Sequence, residues 1–115
     1  MKVTIYHNPR CSKSRATLQL LKDKGIEPEI IEYLNTPPDK ATLNEILHML
    51  GMEPRDLMRK NETPYEQAGL NDESLDRDRL IDGMLEHPIL IERPIVVANG
   101  KAAIGRPPEK VLELL

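Results

Sequence analysis

The sequence contains a single cysteine, Cys11, in 115 residues. The lack of a second thiol excludes a disulfide framework, a zinc site built on two or more cysteines and a self-contained dithiol redox cycle. Phenylalanine and tryptophan are absent, leaving Tyr6, Tyr33 and Tyr65 as the aromatics. The core must therefore be Leu, Ile, Val, Met and Ala, and aromatic stacking on nucleic-acid bases is not expected. A basic surplus is also missing: 16 Lys and Arg stand against 19 Asp and Glu, which argues against general nucleic-acid binding. No apolar run approaches the ~18 residues that cross a bilayer, so no membrane partner is expected. The opening Met1-Lys2-Val3-Thr4-Ile5-Tyr6-His7 turns polar too early for a secretory signal. With one thiol, this suggests a reducing, cytoplasmic setting.

What is present fits one globular domain. The length matches a single unit of ~100–200 residues, and 39% hydrophobic with 30% charged residues argues against disorder. Val3–His7 reads as a strand broken by Asn8-Pro9. Ser12 to about Lys24 reads as a helix with Ala16, Leu18 and Leu21 on its apolar stripe and Gly25 beyond its end. Glu29–Tyr33 is a second strand, completing a βαβ unit with a parallel pair. Leu43, Ile46, Leu47 and Leu50 then repeat at helical spacing, and Gly51 ends the run. A short helix is expected at Pro54–Lys60, loop with at most a turn of helix at 61–73, and a helix capped by Asp72 or Ser74 running to about His87. Two β-prone runs, Pro94–Ala98 and Lys101–Ile104, flank Asn99-Gly100, a strong signal for a two-residue hairpin. A last helix is expected at Glu109–Leu115. The order βαβ, helices, ββα predicts an α/β fold of thioredoxin-like type, a single domain over 1–115 with a helical insertion at about 38–87.

Chemistry concentrates at Cys11, between the first strand and the first helix. Unpaired N–H groups at a helix start stabilise a thiolate and lower its pKa. A lone cysteine is often a small buried hydrophobe, but strand-to-helix loops lie at the ligand-binding edge of open α/β sheets. In Cys11-Ser12-Lys13-Ser14-Arg15, a hydroxyl replaces the second thiol of a Cys-x-x-Cys pair, and Ser14 is a candidate donor to the sulfur. Arg10 and Arg15 add positive potential. His7, four residues before the thiol, would favour the thiolate as an imidazolium, or else bond the loop backbone as a strand-end histidine. His48 and His87 have structural explanations, and the three histidines show no metal-ligand spacing. The five-residue Cys-to-Arg interval of cysteine phosphatases is absent. An oxyanion would need arginines from elsewhere, and Arg59, Arg93 and Arg106 are the candidates.

The segment His7-Asn8-Pro9-Arg10-Cys11-Ser12-Lys13-Ser14-Arg15 resembles the active-site segment of the glutaredoxin-dependent arsenate reductases, the ArsC-like family. Glu32-Tyr33-Leu34, Leu57–Asn61, Pro64-Tyr65, His87–Val97 and Gly105-Arg106-Pro107 are similar as well, in order along the chain. The resemblance implies a glutaredoxin-like (thioredoxin-like) fold. It implies Cys11 as nucleophile and Arg59, Arg93 and Arg106 as oxyanion ligands. Pro94 would be a cis-proline facing the site, with His7, Ser14 and Arg15 supporting. Arsenate is then the substrate, glutathione the co-substrate and glutaredoxin the partner, with no bound cofactor or metal and a monomer expected. Two other readings stay open: a monothiol glutathione-linked redox protein without arsenate activity, and an Spx-like regulator that binds RNA polymerase. Retained arginines disfavour the first, and the loss of a second thiol at Ser14 disfavours the second.

Overall fold

Val3, Thr4, Ile5 and Tyr6, all of high β propensity, make β1 (Val3–Tyr6) a strand, as expected. The computed structural model describes residues 2–115 and shows two compact units, the first formed by the chain up to Thr36 together with Arg93–Leu115, the second by Pro37–Glu92.

In the first unit, helix α1 (Ser12–Asp23) connects β1 to β2 (Glu29–Ile31), which pairs parallel to β1 with Ile5 opposite Ile30. The second strand is shorter than the sequence suggests. After Ile31 the N–H groups of Asn35 and Thr36 turn back to the Glu32 carbonyl, and Tyr33 is buried outside the ladder. β3 (Ile95–Ala98) runs antiparallel to β1, and β4 (Lys101–Ile104) antiparallel to β3, giving the order β2-β1-β3-β4. This is the thioredoxin-like arrangement. Asn99 and Gly100 both have positive φ, 55° and 72°, which is what a tight two-residue hairpin turn needs. The expected last helix is a 3-10 segment, Pro108–Leu114.

Val3 and Ile5 of β1, Val96 and Ala98 of β3, Leu21 of α1, and Val111 and Leu114 of the 3-10 segment form one buried cluster on one face of the sheet. The inward face of α1 differs from the expected stripe. Ser14, Thr17 and Leu21 are buried and Ala16 is exposed. The two hydroxyls can be buried because each has a partner: Ser14 Oγ at His7 Nδ1, and Thr17 Oγ1 donating to the Lys13 carbonyl at 2.8 Å.

The second unit is helical. α2 (Lys40–Leu50) begins at Asp39, whose carboxylate accepts from the Thr42 N–H at 2.8 Å, and ends at Gly51 in the left-handed conformation. α3 (Pro54–Leu57), α4 (Thr63–Gln67) and α5 (Arg77–Glu86) follow, then a 3-10 turn at Pro88–Leu90. α4 is a short helix within the segment expected to be loop with at most a turn of helix. α5 starts later than expected because Asp76 is its cap, accepting from the Arg79 N–H, while Asp72 instead accepts from the N–H and hydroxyl of Ser74 in a local turn. Leu43, Ile46, Leu47, Leu57, Ile81, Met84 and Leu90 are fully or almost fully buried. An isolated antiparallel bridge joins Met58 to Ile91, and the Arg59 N–H donates to the Leu90 carbonyl at 2.7 Å.

The burial pattern of α1 is testable. Leu21→Ala should lower unfolding free energy by about 2–5 kcal/mol in urea denaturation, whereas Ala16→Gln should change it by less than about 0.5 kcal/mol.

Candidate active site

The hairpin and the end of β1 bring the reactive groups to one edge of the sheet. β1 ends beside the start of β3, with Tyr6 opposite Ile95, so the loop after β1 emerges where Arg93 enters. Ile95 pairs with Ile104, and Arg93 and Arg106 stand two residues beyond that pair on the two strands, at facing positions. The ladder continues irregularly between them, with the Gly105 N–H donating to the Pro94 carbonyl at 2.9 Å. Arg106 Nε donates to the Arg93 carbonyl at 2.9 Å. Its Nη2 lies 3.7 Å from the Cys11 sulfur. The Arg93-Pro94 and Arg106-Pro107 peptides are both cis.

Cys11 is the N-cap residue of α1, partly exposed, with its N–H bonded to the Asn8 carbonyl at 3.0 Å. Burial pushes its pKa up, but the backbone N–H of Ser14, the Arg93 guanidinium and the N–H of Lys13 pull harder, and the thiol lies below its ordinary value. The first turn of α1 carries no acidic residue, so no other anion occupies that end of the helix.

The supporting residues act differently from the sequence reading. Ser14 does not direct its hydroxyl to the sulfur. Its Oγ is buried, 2.7 Å from His7 Nδ1, and accepts from the Asn8 N–H at 3.0 Å; its backbone N–H is what serves the thiolate. The imidazolium form of His7 is disfavoured. Burial lowers its pKa, against the raising effect of the Glu32 carboxylate and aided by Lys22 and Arg15. Because Ser14 Oγ already accepts from Asn8, a neutral ring with Nδ1 accepting the Ser14 proton completes the network. Arg15 braces the loop, its Nη1 donating to the Pro9 carbonyl at 2.9 Å. Asn8, buried, holds the loop from inside, its Oδ1 accepting from the Arg10 N–H at 3.0 Å.

Thus Cys11, Arg93 and Arg106 are assembled within one unit. Arg59 belongs to the other, where Nε donates to Glu62 at 3.2 Å and Nη1 to Glu92 at 2.9 Å. Among the described residues, no group of three or more His, Cys, Asp or Glu is placed to hold a metal ion, and no helix is long and apolar enough to cross a membrane.

Sequence reasoning missed Gly105 and Thr17. A Cβ on Gly105 would overlap Thr17 Oγ1 and come within 2.8 Å of Pro94 Cγ. Glycine there lets the strand carrying Arg106 close on α1 and on Pro94. A glycine directly before Arg-Pro, at the end of a strand, was the available signal.

A sequence profile of the ArsC family matches residues 6–114. The chain is 59% identical over 115 residues to the uncharacterized protein YfgD of Escherichia coli (strain K12), covering 99% of this chain and 97% of that one. It is 49% identical over 115 residues to the arsenate reductase of Neisseria meningitidis serogroup A, covering 99% and 98%. The solved structure of the arsenate reductase from Vibrio cholerae superposes with a TM-score of 0.96 at 53% identity, covering 100% of this chain and 98% of that one.

Two measurements check the site. Iodoacetamide alkylation of Cys11 should rise with pH and reach half its maximum rate below the ordinary thiol value of ~8.5. In Gly105→Ala, which displaces the Arg106 strand, the midpoint should move up toward that value in protein shown by circular dichroism to be folded; an unmoved midpoint would assign Gly105 to packing alone.

Proposed function

The chain belongs to the ArsC family, and from that premise we propose that it reduces arsenate to arsenite at Cys11, with glutathione and glutaredoxin supplying the electrons. The observation that carries the reading is the approach of Arg106 Nη2 to within 3.7 Å of the Cys11 sulfur, with Arg93 acting on the same sulfur. Disulfide exchange needs a thiolate but no pair of guanidinium groups. Attack on an oxyanion needs both, since the approaching anion and the thiolate repel each other until cations lie between them.

The Cys11 thiolate attacks arsenic(V) and displaces hydroxide or water, forming a sulfur–arsenic bond. Arg93 and Arg106 hold the arsenate oxygens, and Arg59 is the third oxyanion ligand implied by the family resemblance. A glutathione thiolate then attacks the Cys11 sulfur. The sulfur–arsenic bond breaks, its electron pair stays on arsenic, and arsenite leaves as the Cys11–glutathione disulfide forms. One electron pair is thereby gained by arsenic and lost by two thiols. Glutaredoxin restores the Cys11 thiolate by exchange. His7, Ser14, Arg15 and Pro94 shape the loop and the arginine positions without touching arsenic. The reaction suits a monomer acting in the cytoplasm, the 115 residues forming one thioredoxin-like domain with a helical insertion.

Coupled to glutathione, glutaredoxin and a glutathione-reductase readout, the purified protein should consume reducing equivalents on addition of arsenate, and Cys11→Ser should abolish this. Arg93→Ala and Arg106→Ala should each lower kcat/KM for arsenate by about 10²–10³. Neutral iodoacetamide, tested at a pH where the thiol is fully ionised, should alkylate these variants at close to the wild-type rate. Equal losses in both assays would make the arginines structural.

A further inference from the structure

The Arg59 guanidinium is already engaged by two carboxylates. Nε is bonded to Glu62 Oε2 at 3.2 Å and Nη1 to Glu92 Oε1 at 2.9 Å. All three side chains are only about a quarter exposed, at 26%, 27% and 26%. Nη2 has no bond to another described residue. Arg59 and Glu92 line a cavity of about 420 Å³ together with Arg55, Lys60 and Asn61. Arg55 serves the fold there, donating to Tyr65 Oη and to the carbonyls of Leu70 and Asp72.

We propose that Glu62 and Glu92 are built-in competitors for Arg59 that set the affinity of this protein for its oxyanion. The proposal rests on the reading of Arg59 as an oxyanion ligand. A guanidinium binds a tetrahedral oxyanion best through two parallel N–H groups. Here the Nε and Nη1 donors are held by glutamates, so a bidentate oxyanion must displace at least one of them. The two carboxylates outweigh the single charge of Arg59, so this guanidinium offers an incoming anion little attraction until a carboxylate swings away. The arrangement weakens binding of every anion. Weak competitors that engage a single N–H are weakened most, since only a ligand strong enough to take the fork gains from opening it.

The test uses Glu62→Gln, Glu92→Gln and the double variant, which keep the side-chain shape and remove the charge. Arsenate, and sulfate as an anion that is not reduced, are titrated as protectants of Cys11 against iodoacetamide, beside steady-state kinetics. Each single variant should tighten protection by roughly three-fold, and the double variant by about ten-fold, for partly screened charges at this separation. The gain should appear as a lower KM for arsenate and as tighter protection by sulfate. Unchanged or weaker protection in the double variant would overturn the proposal, since it would mean that the glutamates only position Arg59. Arg59→Ala separates the underlying reading. If it protects like wild type, Arg59 is not an oxyanion ligand and the functional assignment of that residue fails, whatever the glutamate variants do.

Discussion

A negative charge on one sulfur is the constraint that the rest of the first unit serves. A thiolate at the start of a helix is stabilised by N–H groups that have no partner of their own, here those of Ser14 and Lys13. Together with the Arg93 guanidinium, that contribution outweighs the cost of partial burial. The added cation comes from a distance of some eighty residues along the chain, and its delivery depends on register. Asn99 and Gly100 close the hairpin at one end, and at the other end that same register sets Arg93 opposite Arg106. Moving the turn by one residue would exchange the faces of every side chain on one strand. The dipeptide farthest from the chemistry in this hairpin therefore decides which guanidinium groups meet the sulfur.

The loop between β1 and α1 is held by buried polar contacts rather than by charge. His7, Asn8 and Ser14 are all buried, and the Ser14 hydroxyl joins the first two. A charged histidine in that place would need a counter-ion, and burial already drives the ring to its neutral form. A neutral acceptor for the Ser14 proton leaves the hydroxyl oxygen open to the Asn8 N–H, so one strand end, one loop and one helix turn are tied at a single atom. The backbone N–H of Ser14 is thereby aimed at the sulfur, while its side chain faces the other way.

The sequence made much of this legible, and the gaps have physical causes. β1, the Asn99-Gly100 hairpin, the Gly51 terminus of α2 and the lone thiol at a helix start all carry local signals whose meaning does not depend on distant residues. For His7 and Ser14 the sequence left open whether the side chain acts on the thiol or on the loop, and the structure favours the loop. Burial, which depends on tertiary packing, turned them inward. The start of α5 was misread because three candidate caps, Asp72, Ser74 and Asp76, lie within five residues, and only the fold decides that Asp72 closes a turn instead. The convergence of Glu62 and Glu92 on Arg59 has no signal in the sequence, since Glu92 lies 33 positions from Arg59. Gly105 was passed over for the same reason: what a glycine avoids is visible only once its neighbours are in place.

In the proposed reaction a single cysteine does two jobs that usually fall to two, and lowering its pKa favours both. The sulfur first attacks as an anion, which favours ionisation at neutral pH. Later it is one half of a disulfide from which it must be released, and a thiol of low pKa leaves faster. Intrinsic nucleophilicity falls as pKa falls, so the gain in the first step is limited once ionisation is nearly complete. The second step has no such limit. Partial exposure is then required as well, since an outside thiol must reach the sulfur. Burying Cys11 further would raise its pKa and close that route together. Exposing it fully would remove the N–H groups and guanidinium groups that hold the anion. The observed compromise, a helix-capping thiolate open on one side and bounded by arginines on the other, meets both demands with one residue.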